Sequence, residues 1–177
     1  RLAEQVVTYT ELTSGFAQKQ LDAFGERVPI IEIVENAIAA AYPDLRAHNT
    51  QIETTYEISD KVEVRGLPRL LTMAVHEIIR NAITFSPPSG VIRLRASLEE
   101  PFVKLVIADQ GCGIEESALE SVWEIMAQSE RQRREQQGVG MGLPIVRQIM
   151  RLHGGEASLE SHVGQGTTVT LRLPISP

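Results

Sequence analysis

Apolar positions along the chain recur with two periods, and the alternation between them sketches the elements. Residues 1 to about 25 carry Leu2, Val6, Tyr9, Leu12, Phe16, Leu21 and Phe24 without a proline, which predicts a helix. Thr13 and Gln20 fall where a strict coiled-coil seam wants apolar residues, so a dimer seam is not specified by this stretch. Gly25 and Pro29 break the pattern and put a domain boundary near Glu26: a helical segment 1–26 and a main domain 27–177. Ile30 to Ala41 is again helical by spacing and is expected to stop before Pro43. Gln51 to Ile58 and Val62 to Arg65 read as a strand pair around Ser59-Asp60. Leu67 to Phe85 is a helix whose core face is Leu70, Leu71, Ala74, Ile78, Ala82 and Phe85. Beyond Pro87-Pro88-Ser89-Gly90 come two alternating strands, 91–98 and 102–108, and a short helix around Ser117 to Met126. A polar run, 128–137, then leads into a helix from Leu143 that Gly154-Gly155 caps, and strands 156–162 and 167–173 follow. Paired strands with interspersed helices predict an α/β (α+β) two-layer sandwich, with a mixed, mainly antiparallel sheet covered by helices on one face.

Composition narrows the class. The 177 residues are 42% hydrophobic and 23% charged, as in an ordinary globular domain. A net charge of −6 argues against nonspecific nucleic-acid binding, which draws its affinity from neutralising phosphates. One cysteine, Cys112, rules out an intrachain disulfide framework and a multi-cysteine zinc site. No apolar run in these residues is long enough to span a bilayer, and their first stretch does not read as a signal peptide. The chain starts at Arg1 inside a helical pattern and so reads as a piece of a longer protein, compatible with a membrane anchor elsewhere.

Four stretches carry candidate chemistry. The polar run 128–137 feeds Gly138, Gly140 and Gly142, with Met141, Leu143 and Pro144 at the start of a helix. Such glycines let backbone amides approach a ligand, and a helix N-terminus favours negative charge, so the stretch reads either as a lid closing on phosphate or as a tight connection. The spacing fits neither the dinucleotide fingerprint nor a P-loop, since no Gly-Lys-Ser/Thr occurs. Asp109-Gln110-Gly111-Cys112-Gly113-Ile114 follows a strand directly. Its carboxylate could accept from an exocyclic amine, or the segment is a simple Asp turn. Glu77 and Asn81 lie four apart on one helix face, where Asn offers an oxygen to a hard cation such as Mg²⁺; alone, this is also what a solvated face looks like. Gly164-Gln165-Gly166-Thr167-Thr168 alone reads as a hairpin turn.

In this order and spacing the four blocks resemble the ATP-binding domain shared by sensor histidine kinases, type II topoisomerases, heat-shock-90 chaperones and mismatch-repair ATPases. The resemblance covers residues 28 to about 175 and implies a Bergerat-type sandwich, with ATP between helices under a lid. It implies that Asn81 ligates Mg²⁺, that Asp109 reads the adenine amine beside Gly111, Gly113 and Ile114, and that Phe85 lies next to the adenine. Gly138, Gly140, Met141, Gly142 and Leu143 match the glycine box, and Gly166-Thr167 matches the last nucleotide box. Glu77 matches the acidic residue that activates water in hydrolysing members. Within this group the chain looks most like a histidine kinase, by its size, its short lid and Gly142-Leu143-Pro144-Ile145-Val146-Arg147.

A histidine kinase implies an ATP-dependent phosphotransferase of two-component signalling. The acceptor histidine would then lie upstream of Arg1, on a dimerisation hairpin that residues 1–26 complete. The partners implied are ATP, that hairpin, a response-regulator receiver domain and a second copy in the full-length protein, with no nucleic acid, and the segment itself would be cytoplasmic. Some positions depart from the pattern. Thr84 stands where many kinases place Lys or Arg, and Arg80, or Arg131, Arg133 and Arg134 in the lid, are the substitutes; the lid arginines read equally as a solvated charged segment. Trp123 and Met126 stand where two phenylalanines are common. The rivals are an ATP-hydrolysing clamp domain, a non-catalytic nucleotide-binding module and a serine-kinase anti-sigma factor.

Overall fold

The computed structural model describes residues 2–125 and 140–176. Helices α1 (Leu2–Thr13) and α2 (Phe16–Phe24) lead into β1 (Glu26–Pro29), α3 (Ile30–Ala47), β2 (Gln51–Glu57), β3 (Glu63–Gly66) and α4 (Pro68–Phe85). Strands β4 (Val91–Glu99) and β5 (Phe102–Ala108) precede two single-turn 3-10 helices, Glu116–Ala118 and Ser121–Trp123. Helix α5 (Gly142–Leu152) and strands β6 (Glu156–His162) and β7 (Gly166–Pro174) complete the described chain.

The main sheet runs β2-β4-β5-β7-β6; β2 pairs parallel to β4, and the remaining pairs are antiparallel. Alternation along the strands sorts the faces. Ile92, Leu94 and Ala96, then Val103, Leu105 and Ile107, then Val169, Leu171 and Leu173 are buried toward the helices. Arg93, Arg95, Lys104 and Arg172 lie on the other face and pair with Glu53, Glu57 and Glu99. Helices supply the second layer through 3.6-residue stripes: Ile30, Ile33, Val34, Ala37, Ala41 and Leu45 on α3, and Ile145, Val146, Ile149 and Met150 on α5. α4 lies between them, packed on both neighbours, and α1 rests against α5. The mixed, mainly antiparallel sheet under one helical layer is the expected fold.

Local expectations fare less evenly. The N-terminal helix is two helices, because Gly15 takes the left-handed conformation (φ 78°) that separates α1 from α2. Helix α3 runs through Pro43 to Ala47. The lost amide bond is outweighed by a further turn that buries Leu45 to 6% exposure. Strands β2 and β3 do not pair with each other; β2 adds parallel to β4, and β3 pairs with β1. Alternation identifies a strand but not its neighbour, and the Ser59-Asp60 turn separates two sheets. The helix expected at 117–126 is the pair of 3-10 turns as far as Trp123, and Met126 lies outside the described residues.

Candidate nucleotide site

Three positions spaced four apart on α4, Glu77, Asn81 and Phe85, run toward the end of the sheet. Glu77 is a buried carboxylate, 7% exposed. Its Oε2 accepts from Arg80 Nη2 at 3.0 Å and from Gln5 Nε2 of α1 at 3.3 Å. Gly142, the first residue of α5, approaches this pair so closely that a Cβ there would stand 2.9 Å from Glu77 Oε2 and 3.6 Å from Asn81 Nδ2. A Cβ at 142 would crowd the Glu77 carboxylate, which Arg80 and Gln5 hold in place, while only touching Asn81, so glycine lets α5 start in contact with both polar groups. The N-terminus of α5, with Pro144 in its first turn, is thereby set against the polar face of α4.

The second cluster lies where β5, β7 and β6 end. Asp109, Thr167 and Ser161 continue the buried alternation of their strands, so all three side chains project into the space between sheet and helices. Asp109 Oδ1 accepts from the amides of Gly111 (2.7 Å) and Thr167 (3.2 Å). Among the described residues no donor reaches Oδ2. Burial raises the Asp109 pKa above the ordinary carboxylate value, while the two amide bonds pull it down. Gly166, at φ 86°, lets the turn pass over the Asp109 carbonyl, which a Cβ would meet at 2.1 Å. Cys112 donates its amide to the Phe85 carbonyl at 3.3 Å, tying the loop after β5 to the end of α4. Ile114 N–H donates to Ser161 Oγ. The two clusters therefore share one interlayer space.

Other expected residues sit differently. Met141 is buried, 4% exposed, and packs in the core; Leu143 is half-buried against the same core. Gly140 is described, whereas Gly138, Arg131, Arg133, Arg134 and the expected lid 128–137 lie outside the described residues. Arg80 is engaged with Glu77 and, with Thr84, lines a groove of about 760 Å³ between α1, α3 and α4. Trp123 is held against α5, with the Arg147 guanidinium 6.0 Å from its ring centre. Two polar residues were missed in the sequence, Gln5 and Ser161. For Ser161 a signal existed, a serine at an inward position after Ala157 and Leu159; for Gln5 none did, because its contact spans 72 residues.

Residues 66–177 match the family described as "Histidine kinase-, DNA gyrase B-, and HSP90-like ATPase". The chain belongs to this family. The histidine protein kinase DivJ of Caulobacter vibrioides is 36% identical over 115 residues, which make up 65% of this chain and 19% of DivJ. The sensor-like histidine kinase SenX3 of Mycolicibacterium smegmatis is 29% identical over 178 residues, spanning 100% of this chain and 46% of SenX3. The chain thus spans less than half the length of these relatives. Among solved structures, the mycobacterial sensor histidine kinase MprB superposes with a TM-score of 0.74 at 28% identity, covering 86% of this chain and 99% of that one. Full-length ShkA in complex with AMPPNP shares the fold, with a TM-score of 0.74 at 20% identity over 99% of this chain and 37% of that one. This is an ATP-binding catalytic domain of the histidine kinase type. No helix among the described residues is long and apolar enough to cross a membrane.

Proposed function

We propose that this kinase domain binds ATP with Mg²⁺ between α4, α5 and the end of the sheet, and transfers the γ-phosphoryl group to a histidine on a helical hairpin. The observation that carries the reading is the convergence of Glu77 and Asn81 with the glycine start of α5, in the space that Asp109 and Thr167 also face. Asp109 would accept from the adenine amine, with Phe85, Gly111, Gly113 and Ile114 around the base. The Gly140 amide before α5 and the first amides of α5, from Gly142 onward, would receive the phosphates. Arg80 would supply the charge that Thr84 lacks, once released from Glu77, with Arg131 and Arg134 in the lid as further candidates.

The donor chemistry suits Mg²⁺. Asn81 offers a hard neutral oxygen beside a carboxylate, and no group of three or more His, Cys, Asp or Glu able to hold a metal occurs among the described residues. A cation here would take Asn81 plus phosphate oxygens and waters, the usual Mg²⁺ pattern. When bound it would neutralise phosphate charge. The chain's own contribution is positioning: the helix-end amides and Asn81 hold the phosphates while the acceptor imidazole attacks phosphorus, the β,γ-bridging P–O bond breaks, and ADP leaves.

By this reading residues 1–26 belong to the dimerisation hairpin, and 27–177 form the catalytic domain of a two-component sensor kinase. The full protein would be a homodimer whose phosphohistidine is passed to a receiver domain. The catalytic side works in the cytoplasm, where ATP is. A buried carboxylate beside Asn81 also favours a second reading, in which Glu77 serves ATP hydrolysis. The deciding experiment supplies a separate hairpin bearing a His-Glu helix. Transfer to it, giving an acid-labile product that Asn81→Ala abolishes, is expected; rapid hydrolysis without any transfer would overturn the kinase reading.

A further inference from the structure

Ser161 is buried, 6% exposed, and directly opposite Thr167 in the β6–β7 register. Its hydroxyl takes part in three hydrogen bonds, and their chemistry fixes every proton. The Gly166 carbonyl, 2.8 Å away, can only accept, so it receives the single Ser161 proton. The Ile114 amide, at 2.9 Å, can only donate and fills one Ser161 lone pair. The remaining partner is Thr167 Oγ1 at 2.8 Å, and only one Ser161 lone pair remains for it, so Thr167 must be the donor. The Thr167 proton is thus committed to the strand behind it, and toward the interlayer space Thr167 presents lone pairs alone. Asp109, the residue after β5, whose amide donates to the Thr167 carbonyl, presents Oδ2, to which no described residue donates.

We infer that Ser161 is a specificity-determining residue: by ordering the Thr167 proton it makes this end of the pocket an all-acceptor surface that selects 6-amino over 6-oxo purine nucleotides. The inference rests on the assignment of the base to Asp109. An exocyclic amine brings two donors to two acceptors. A 6-oxo purine brings a carbonyl oxygen against them, and its N1–H finds an acceptor only if the base slides sideways. A Thr167 hydroxyl free to rotate would turn its proton to that carbonyl and relieve the mismatch. Ser161 itself touches no ligand and acts through Thr167.

The test is calorimetric titration of the domain with Mg-ATP and Mg-ITP, comparing the ratio of the two affinities. Ser161→Ala is expected to narrow the ATP:ITP ratio by about tenfold, the equivalent of one net hydrogen bond, chiefly by tightening ITP. In a Thr167→Val background the same change should leave the ratio unaltered, because no hydroxyl remains to reorient. Thr167→Val alone should also narrow the ratio, and Thr167→Ser should keep it, which holds the inference testable if Ser161→Ala does not fold. Should ATP bind and depend on Asp109 while the ratio is equal in wild type, Ser161→Ala and Thr167→Val, the proton-ordering role falls and the adenine assignment stands. Should ATP binding not depend on Asp109 at all, the adenine assignment falls, and the inference with it.

Discussion

Asp109 spends one oxygen on the protein, and the other, which no described residue reaches, is the one the proposed site gives to a ligand. Both backbone donors reach Oδ1, and an asparagine could keep both with its own Oδ1 while placing an NH₂ where Oδ2 stands. Asp109→Asn should therefore weaken ATP binding by about 1.5–3 kcal/mol, the worth of a hydrogen bond to a charged group, as read by titration calorimetry. The empty domain should respond in the opposite sense. Burial is the largest influence on this carboxyl and raises its folded-state pKa above the ordinary 3.8. The associated stability is present in full below 3.8 and is lost as pH rises through the folded-state value. At neutral pH the ionised group opposes folding, so Asp109→Asn should melt no lower than wild type. A lower melting temperature for the variant would show that the charge contributes to holding the loop rather than waiting for a base.

At the scale of elements, the site depends on how α4 and α5 are held. Buried His153, at the C-terminal end of α5, accepts the Leu67 amide on Nε2 at 3.0 Å, just before α4, and its Nδ1 lies 2.7 Å from the Ile149 carbonyl. Since the carbonyl can only accept, the neutral Nδ1–H tautomer is required. Burial lowers the His153 pKa from the ordinary 6.5. As pH falls below 6.5 the unfolded chain takes up the proton first, so stability present in full above that value is lost toward the lower folded-state pKa. Thermal melts from pH 7 to 5 should show this loss, and His153→Gln should flatten it. Helix α1 is held to the same layer by Gln5, whose bond reaches a buried carboxylate. Gln5→Leu should cost about 1.5–3 kcal/mol of α1 docking and speed amide exchange in α1 with the sheet unaffected.

These contacts mark where the sequence stops being legible. Glycine boxes, the Asp109 loop and the Glu77–Asn81 spacing are readable because one short segment supplies each part of the ligand chemistry. Ser161 and Gln5 are not, because each gains its role from a partner brought in by strand register or helix docking. The same limit explains β2 and β3: both were visible as strands, but their partners were not. Pro43 reads locally as a stop, since the burial of Leu45 two residues later depends on packing that local propensity does not carry. Gly15 passed as an ordinary helix residue because only its positive φ reveals the break.

For the whole molecule, α1 lies on the helical layer that lines the proposed nucleotide site, and Gln5 ties it there to Glu77. His153 has both ring nitrogens engaged and His76 lines the groove between α1, α3 and α4, and by the proposed function the acceptor histidine lies on the hairpin. The domain should bind ATP without labelling itself, and should phosphorylate a hairpin added in trans. Glu77→Gln then separates the two chemistries. Its amide still accepts from Gln5 and Arg80, so the α1 contact survives while the basic oxygen is lost. If Glu77 is a general base toward water, the variant loses residual hydrolysis by about 10²–10⁴-fold yet transfers to the hairpin at an undiminished rate. If the carboxylate instead orients the acceptor imidazole, transfer falls in parallel with hydrolysis. Single-turnover phosphorylation alongside steady-state ADP release measures both in one preparation. The outcome expected for a kinase is the parallel fall, because the carboxylate is buried beside Asn81, where, once Arg80 turns to the phosphates, it can hold a proton on an incoming imidazole.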